Sequence, residues 1–162
     1  MLSNGIEKNP LFKEINSLLE AMNLKAVDCI KNDTPQGVQM IITVYSPERE
    51  ITTDDLAAVY NIIYPRYQVI FGDRDLMLEV SSPGLQRSLR DTYEFSLFTS
   101  RLVKVYTTKY SSWVEGYIEH SDEKSVTLRD AVIIDTGSEE KEITLPFTEV
   151  QKAKLSFRWE EK

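Results

Sequence analysis

The stretch Leu78 to Arg90, LEVSSPGLQRSLR, is where the chain changes character, and its reading decides the architecture. Leu76, Leu78 and Val80 alternate with Met77, Glu79 and Ser81, the period of two that marks a strand over 76–81. Pro83-Gly84 follows as a turn pair in which proline sets one φ and glycine is free to take a positive one. Upstream of this turn helical and strand periods are mixed; downstream, beyond about Leu89, only strand-like alternation is found. A division into two small domains follows: an N-terminal α+β domain over 1–88, a linker over 89–98 and a C-terminal β domain over 99–162.

Upstream, Leu11, Phe12, Ile15, Leu18, Leu19 and Met22 share one helical face, and Asn9-Pro10 supplies a start signal, so a helix is predicted over 10–22. Leu24 to Ile30 and Val38 to Tyr45 are branched and aromatic runs parted by the polar KNDTPQG, and read as an antiparallel pair. Thr52-Thr53-Asp54-Asp55 reads as a capped, acid-biased helix start; Leu56, Val59, Ile62 and Ile63 continue at helical spacing, and Pro65 is expected to end or kink that helix. The order α-β-β-α-β then places two helices on one face of a three-stranded sheet.

Downstream, LVKVYTT, WVEGYIEH, SVTL, AVIIDT, EITLPF and AKLSF are short alternating stretches separated by polar breaks. Five or six short strands in so few residues suggest a sheet that curls until its edges meet in a small barrel, with Gly116 marking a sharp bend or bulge. DTYEFSLF, residues 91–98, reads as a short connector with one helical turn.

Composition narrows the function. The 162 residues are 41% hydrophobic and 28% charged, the balance of a folded globular chain too short for separate cofactor and substrate domains. Nineteen Lys and Arg against 26 Asp and Glu leave a net charge of −7. The acidity is spread: residues 1–88 carry 8 basic and 12 acidic side chains, residues 89–162 carry 11 and 14. A bulk basic face for bare nucleic acid is disfavoured, because affinity for phosphate comes mainly from Lys and Arg. One cysteine, Cys29, and one histidine, His120, exclude an internal disulfide and cannot complete a structural zinc site. No apolar run approaches the ~18 residues of a membrane span, and the first residues lack the pattern of a secretion signal; a cytoplasmic protein is expected.

Little in the sequence points to catalysis. No phosphate-cradling glycine motif occurs, and no nucleophile, base and orienting group can be placed together. Asp54 with Asp55, and Asp73 with Asp75, are better explained by a helix start and a solvated loop than by acid–base work. Tyr106, Tyr110, Trp113 and Tyr117, with Lys104 and Lys109 nearby, could stack on bases, but core packing or a protein interface is the simpler reading. No catalytic residue, cofactor or metal is expected.

The opening stretch carries more information than a strand and a turn require. It resembles the hallmark of the ribosome maturation factor RimP family, a strand ending in E-V-S-S-P-G-L-D-R-P-L, matched here by Glu79, Val80, Ser81, Ser82, Pro83, Gly84, Leu85, Arg87 and Leu89. ITTDDLAAV (51–59), WVEGYIE (113–119) and LPFTEVQKAKL (145–155) also resemble that family. Gln86 and Ser88 depart from it, standing where Asp and Pro are usual. The resemblance implies a non-catalytic assembly factor of the bacterial 30S subunit, with an α+β first domain and an Sm-like or SH3-like second barrel. It further implies a monomer docking on the immature subunit near the decoding region, through a very basic small-subunit ribosomal protein, the twelfth, and adjacent 16S ribosomal RNA. Ser81, Ser82, Leu85, Arg87, Leu89 and Trp113 are the expected partner contacts, with Pro83 and Gly84 shaping the turn. The alternative is a generic Sm-like RNA-binding module acting outside ribosome assembly.

Overall fold

The computed structural model describes residues 2–157, which form two compact units, one of residues 6–83 and one of residues 2–5 with 84–157.

In the first unit Asn9 caps helix α1 (Pro10–Glu20): its side-chain oxygen accepts from the Leu11 and Phe12 amides, and Pro10 sits where no intrahelical donor is needed. Strand β1 (Lys25–Thr34) pairs antiparallel with β2 (Gly37–Tyr45), and β2 pairs parallel with β3 (Asp75–Ser81). The polar KNDT segment, expected as a break, continues β1, leaving only Pro35-Gln36 for the turn. The parallel pairing needs a crossover, which helix α2 (Thr53–Phe71) supplies. Thr52 and Asp55 cap α2 reciprocally, and Arg49 grips the Asp55 carboxylate with both terminal nitrogens at 2.6 and 2.9 Å.

Of the two outcomes expected at Pro65, an end or a kink, the end does not occur: α2 continues to Phe71. A mid-helix proline costs about 3 kcal/mol. Val59, Ile63 and Tyr67, spaced by four and straddling it, are all buried, and each such side chain contributes about 1.5–3 kcal/mol. Burial on both sides of the proline therefore wins. Tyr67 and Arg66 also donate to the Glu14 carboxylate at 2.8 Å, tying α2 to α1 over one sheet face. Val38, Met40, Ile42 and Val44 of β2 present that face, with Phe12, Ile15 and Leu19 of α1 buried as part of the same unit's core. Gly37 opens β2 at φ 145° opposite Asp75, and a Cβ there would collide with the Asp75 carbonyl oxygen.

The second unit is a five-stranded antiparallel sheet in the order β7-β6-β5-β4-β8, made from β4 (Leu102–Thr107), β5 (Ser112–Ser121), β6 (Ser125–Ile133), β7 (Ser138–Pro146) and β8 (Val150–Leu155), preceded by the one-turn helix α3 (Glu94–Leu97). SVTL and AVII, read separately from the sequence, are one strand, bent at Asp130 where φ is +49°. Gly116 lies within a register shift between β5 and β6, as its place in the strand pattern suggests. A Cβ on it would sit 3.1 Å from the Arg129 carbonyl oxygen, a tight contact that favours glycine where β6 comes close.

Among the described residues the five strands form an open sheet with β7 and β8 at its edges, and the closed barrel expected from the sequence is not formed. A single three-residue turn, Phe147–Glu149, joins the two edge strands, which forces β7 and β8 together at one end. Among the described residues β7 and β8 do not pair, because another segment occupies the outer side of β8. The Leu89 amide donates to the Ala153 carbonyl at 2.9 Å, and the Leu155 amide donates to the Arg87 carbonyl at 2.8 Å. Residues 87–89 thus cover the edge that closure would have used. Residues 89–98, expected as a linker, carry Leu89, Phe95 and Phe98, all buried, and Phe95 stacks on Phe147 at 5.5 Å.

Candidate functional site

Two places in the structure hold the residues singled out from the sequence. The first is the segment that leaves β3. Ser81 ends that strand, opposite Thr43 of β2, and is half-buried. Ser82 is exposed, Pro83 half-buried, and Leu85 projects with 61% of its surface open. Gly84 does not have the positive φ anticipated, and a Cβ added to it would meet nothing within 4 Å. Glycine is therefore not demanded here, and the hydrogen-bonded turn lies just beyond Pro83: the Arg87 amide donates to the Gly84 carbonyl at 3.2 Å, with Leu85 and Gln86 at its corners.

Arg87 stands differently from its neighbours. Its Nε donates to Glu94 Oε1 at 2.7 Å and its Nη2 to Oε2 at 3.1 Å, a two-pronged pair with only 12% of the arginine and 1% of the glutamate side chain accessible. Glu94 also accepts from the backbone amides of Arg90 at 2.9 Å and Asp91 at 3.2 Å. Four donors converge on one buried carboxylate, which is how a charge is tolerated away from water. Next to it, Ser3 donates through its hydroxyl to Asp91 at 3.0 Å, the Ser3 amide donates to the Arg90 carbonyl, and the Thr92 amide donates to the Ser3 carbonyl. The arrangement fastens residues 87–92 and the start of the chain into the second unit. Sequence reading noticed Arg87 but not Glu94, whose role appears only once the α3 turn folds back seven residues.

The second place is the outer face of β8, β4 and β5. Inward-pointing Val103, Val105, Val114, Ala153 and Leu155 alternate with outward Lys104, Tyr106, Trp113, Glu115, Lys152 and Lys154. Tyr106 pairs across the ladders with both Trp113 and Lys152, and Lys104 with Glu115 and Lys154. Tyr106 meets Trp113 edge-on, ring centroids 5.6 Å apart. The Lys152 and Lys154 ammonium groups lie 5.4 and 5.6 Å from the Trp113 ring centre. Trp113 and Tyr106 are half-buried on a solvent face, so the core role considered for them does not hold. The Q-K-A-K-L alternation was the available signal for the two lysines; that they flank Trp113 depends on β8 pairing with β4.

Elsewhere, Cys29 is half-buried and burial pushes its thiol up to about 12, which makes it a poor nucleophile near neutrality. His120 is exposed. Among the described residues no three His, Cys, Asp or Glu side chains gather in a way that could hold a metal ion, and no helix is long and apolar enough to cross a membrane.

Comparison with known proteins gives two findings. Residues 14–86 match the family model described as the RimP N-terminal domain. The chain is also similar to a protein of Borrelia garinii subsp. bavariensis named ribosome maturation factor RimP, at 24% identity over 149 residues, covering 92% of this chain and 95% of the relative.

Proposed function

We propose that the chain is a member of the RimP family and acts as a ribosome maturation factor on the immature small subunit, as a cytoplasmic, non-catalytic docking protein. The observation that carries the reading is the likeness to a ribosome maturation factor along nearly the whole chain, across both units. Charge supports the finer part. A protein of net charge −7 is steered toward cationic surfaces, so it can hold a basic ribosomal protein, proposed as the twelfth of the small subunit, near the decoding region. The β6–β7 hairpin offers Asp130, Asp135, Glu139, Glu140 and Glu142, all exposed, against two cations, Lys141 and Arg129, the latter paired with Asp130 at 3.4 Å. Such a surface suits a lysine- and arginine-rich partner.

Of the expected contact residues, Ser81, Ser82 and Leu85 are proposed to meet the partner directly. Arg87 and Leu89 act by holding the segment in place, and Trp113 belongs to the separate face of the second unit. The five-stranded antiparallel sheet is proposed as an open member of the Sm-like or SH3-like barrels. Sedimentation of cell extract containing the tagged chain tests the reading. Comigration with small-subunit precursors and not with translating ribosomes is expected; absence from precursor fractions overturns it in favour of a generic RNA-binding module.

A further inference from the structure

We propose that the outer face of β8-β4-β5 is a stacking platform for single-stranded RNA, centred on Trp113 and Tyr106 and flanked by Lys104, Lys152 and Lys154. The proposal deepens the assembly-factor reading, since it names the chemical partner of a face which that reading does not assign.

Three observations support it. In a chain of net charge −7, this face gathers three lysines around Trp113 and Tyr106 beside one carboxylate, Glu115, while Glu119, farther along β5, is paired with Arg129 at 3.1 Å. Lys104 approaches Glu115 only at 4.0 Å, and Lys152 and Lys154 have no carboxylate partner among the described residues. The lysines surround aromatic rings instead of acids. The rings lie on a sheet face, where strand pairing holds them open to solvent on one side, and the inner residues of the same strands already supply the core. Finally, the strip continues past the end of β4, where Lys109 lies 5.5 Å from the exposed Tyr110 ring and a shallow groove is lined by Thr108, Thr148, Val150, Gln151 and Lys152.

Charge selects an anionic partner, and the rings select among anions. An acidic peptide needs the lysines alone, whereas unpaired bases offer flat π-faces to the rings and a phosphate backbone to the ammonium groups. A duplex keeps its bases stacked internally and gains nothing from the aromatics. The ammonium groups over Trp113 rotate on flexible four-carbon stems, so they can swing to phosphates and leave the indole for a base. With about three phosphates neutralised, the affinity of a single strand falls roughly 15- to 20-fold between 50 and 200 mM salt.

The test is a fluorescence-anisotropy titration of the full chain with labelled single-stranded oligouridine at both salt concentrations. The variants are Trp113→Ala, Trp113→Phe and the double Lys152→Gln/Lys154→Gln, with oligoglutamate as competitor. Expected are a loss of about tenfold or more for Trp113→Ala, retention in Trp113→Phe, and weaker binding with a shallower salt dependence in the lysine double variant. The double variant alters only outward-facing side chains, Lys152 exposed and Lys154 half-buried, so it remains informative if Trp113→Ala fails to fold. Wild-type RNA affinity in both the double variant and a folded Trp113→Ala overturns the platform. So does oligoglutamate competing as well as unlabelled oligouridine, which assigns the face to an acidic protein. Precursor sedimentation is scored separately: a wild-type chain that binds oligouridine through Trp113 yet ignores precursors sinks the assembly reading and leaves the platform standing.

Discussion

Replacing Arg87 by Met tests whether the hallmark arginine is a structural fastening or a free contact residue. Met preserves much of the aliphatic stem and removes the guanidinium. Glu94 would then keep the Arg90 and Asp91 amides on Oε2, but Oε1 would lose its 2.7 Å donor at a site with 1% of the side chain accessible. Breaking a buried ion pair from one side costs about 3–5 kcal/mol, against about 0–1 for an exposed pair. A domain of this size holds only about 5–15 kcal/mol in total, so the variant should lose a large share of the second unit's stability. At a urea m-value near 1 kcal/mol/M, that is a midpoint lowered by roughly 3 M or more. Trp113 lies in β5 of the second unit and no tryptophan precedes residue 84, so tryptophan fluorescence during urea unfolding follows that unit through Trp113. Adding Glu94→Leu to Arg87→Met should restore part of the loss, though not all, because the two backbone amides are left without their acceptor. A loss below ~1 kcal/mol for Arg87→Met would refute the latch and return Arg87 to the list of direct contacts.

Gly37→Ala is expected to destabilise the first unit by about 1–3 kcal/mol, since a Cβ collides with the Asp75 backbone at a strained φ. Gly84→Ala should leave the thermal midpoint almost unchanged, and circular dichroism melts of the two variants separate the cases. Asp55, held below its ordinary carboxylate range by Arg49 and by the Thr52 amide and hydroxyl, favours folding above the unfolded pKa and loses that contribution as pH falls through the folded one. The stability difference between wild type and Asp55→Asn should therefore shrink below about pH 4, and a difference that is constant with pH contradicts the cap. Cys29, its thiol raised by burial, should react with a maleimide at pH 8 far more slowly than free cysteine and at an ordinary rate in urea; equal native and denatured rates would contradict its burial.

Local chemistry made parts of this fold readable before any coordinates. Asn9-Pro10 and Thr52 to Asp55 carry their own capping partners within three residues, so both helix starts were legible. The strand alternation around Val103, Val114 and Val126 marked the second sheet, and a glycine inside a strand marked the β5 bulge. What could not be read depends on pairings distant in sequence. Pro65 survives in α2 because Val59, Ile63 and Tyr67 find a core that includes residues tens of positions away. The sheet stays open because residues 87–89 reach β8 more than sixty residues later. The same holds for the candidate sites: Arg87 alone looks like a contact residue until Glu94 is placed beside it, and Lys152 and Lys154 acquire meaning only when β8 lies against β4.

The most direct test of the central claim, an acidic docking protein for unfinished small subunits, is a titration of the fluorescently labelled chain with purified precursor particles and, in parallel, with mature small subunits. The account predicts saturable, markedly tighter binding to the precursors. Equal affinity for both particles, or no binding to either, would contradict it.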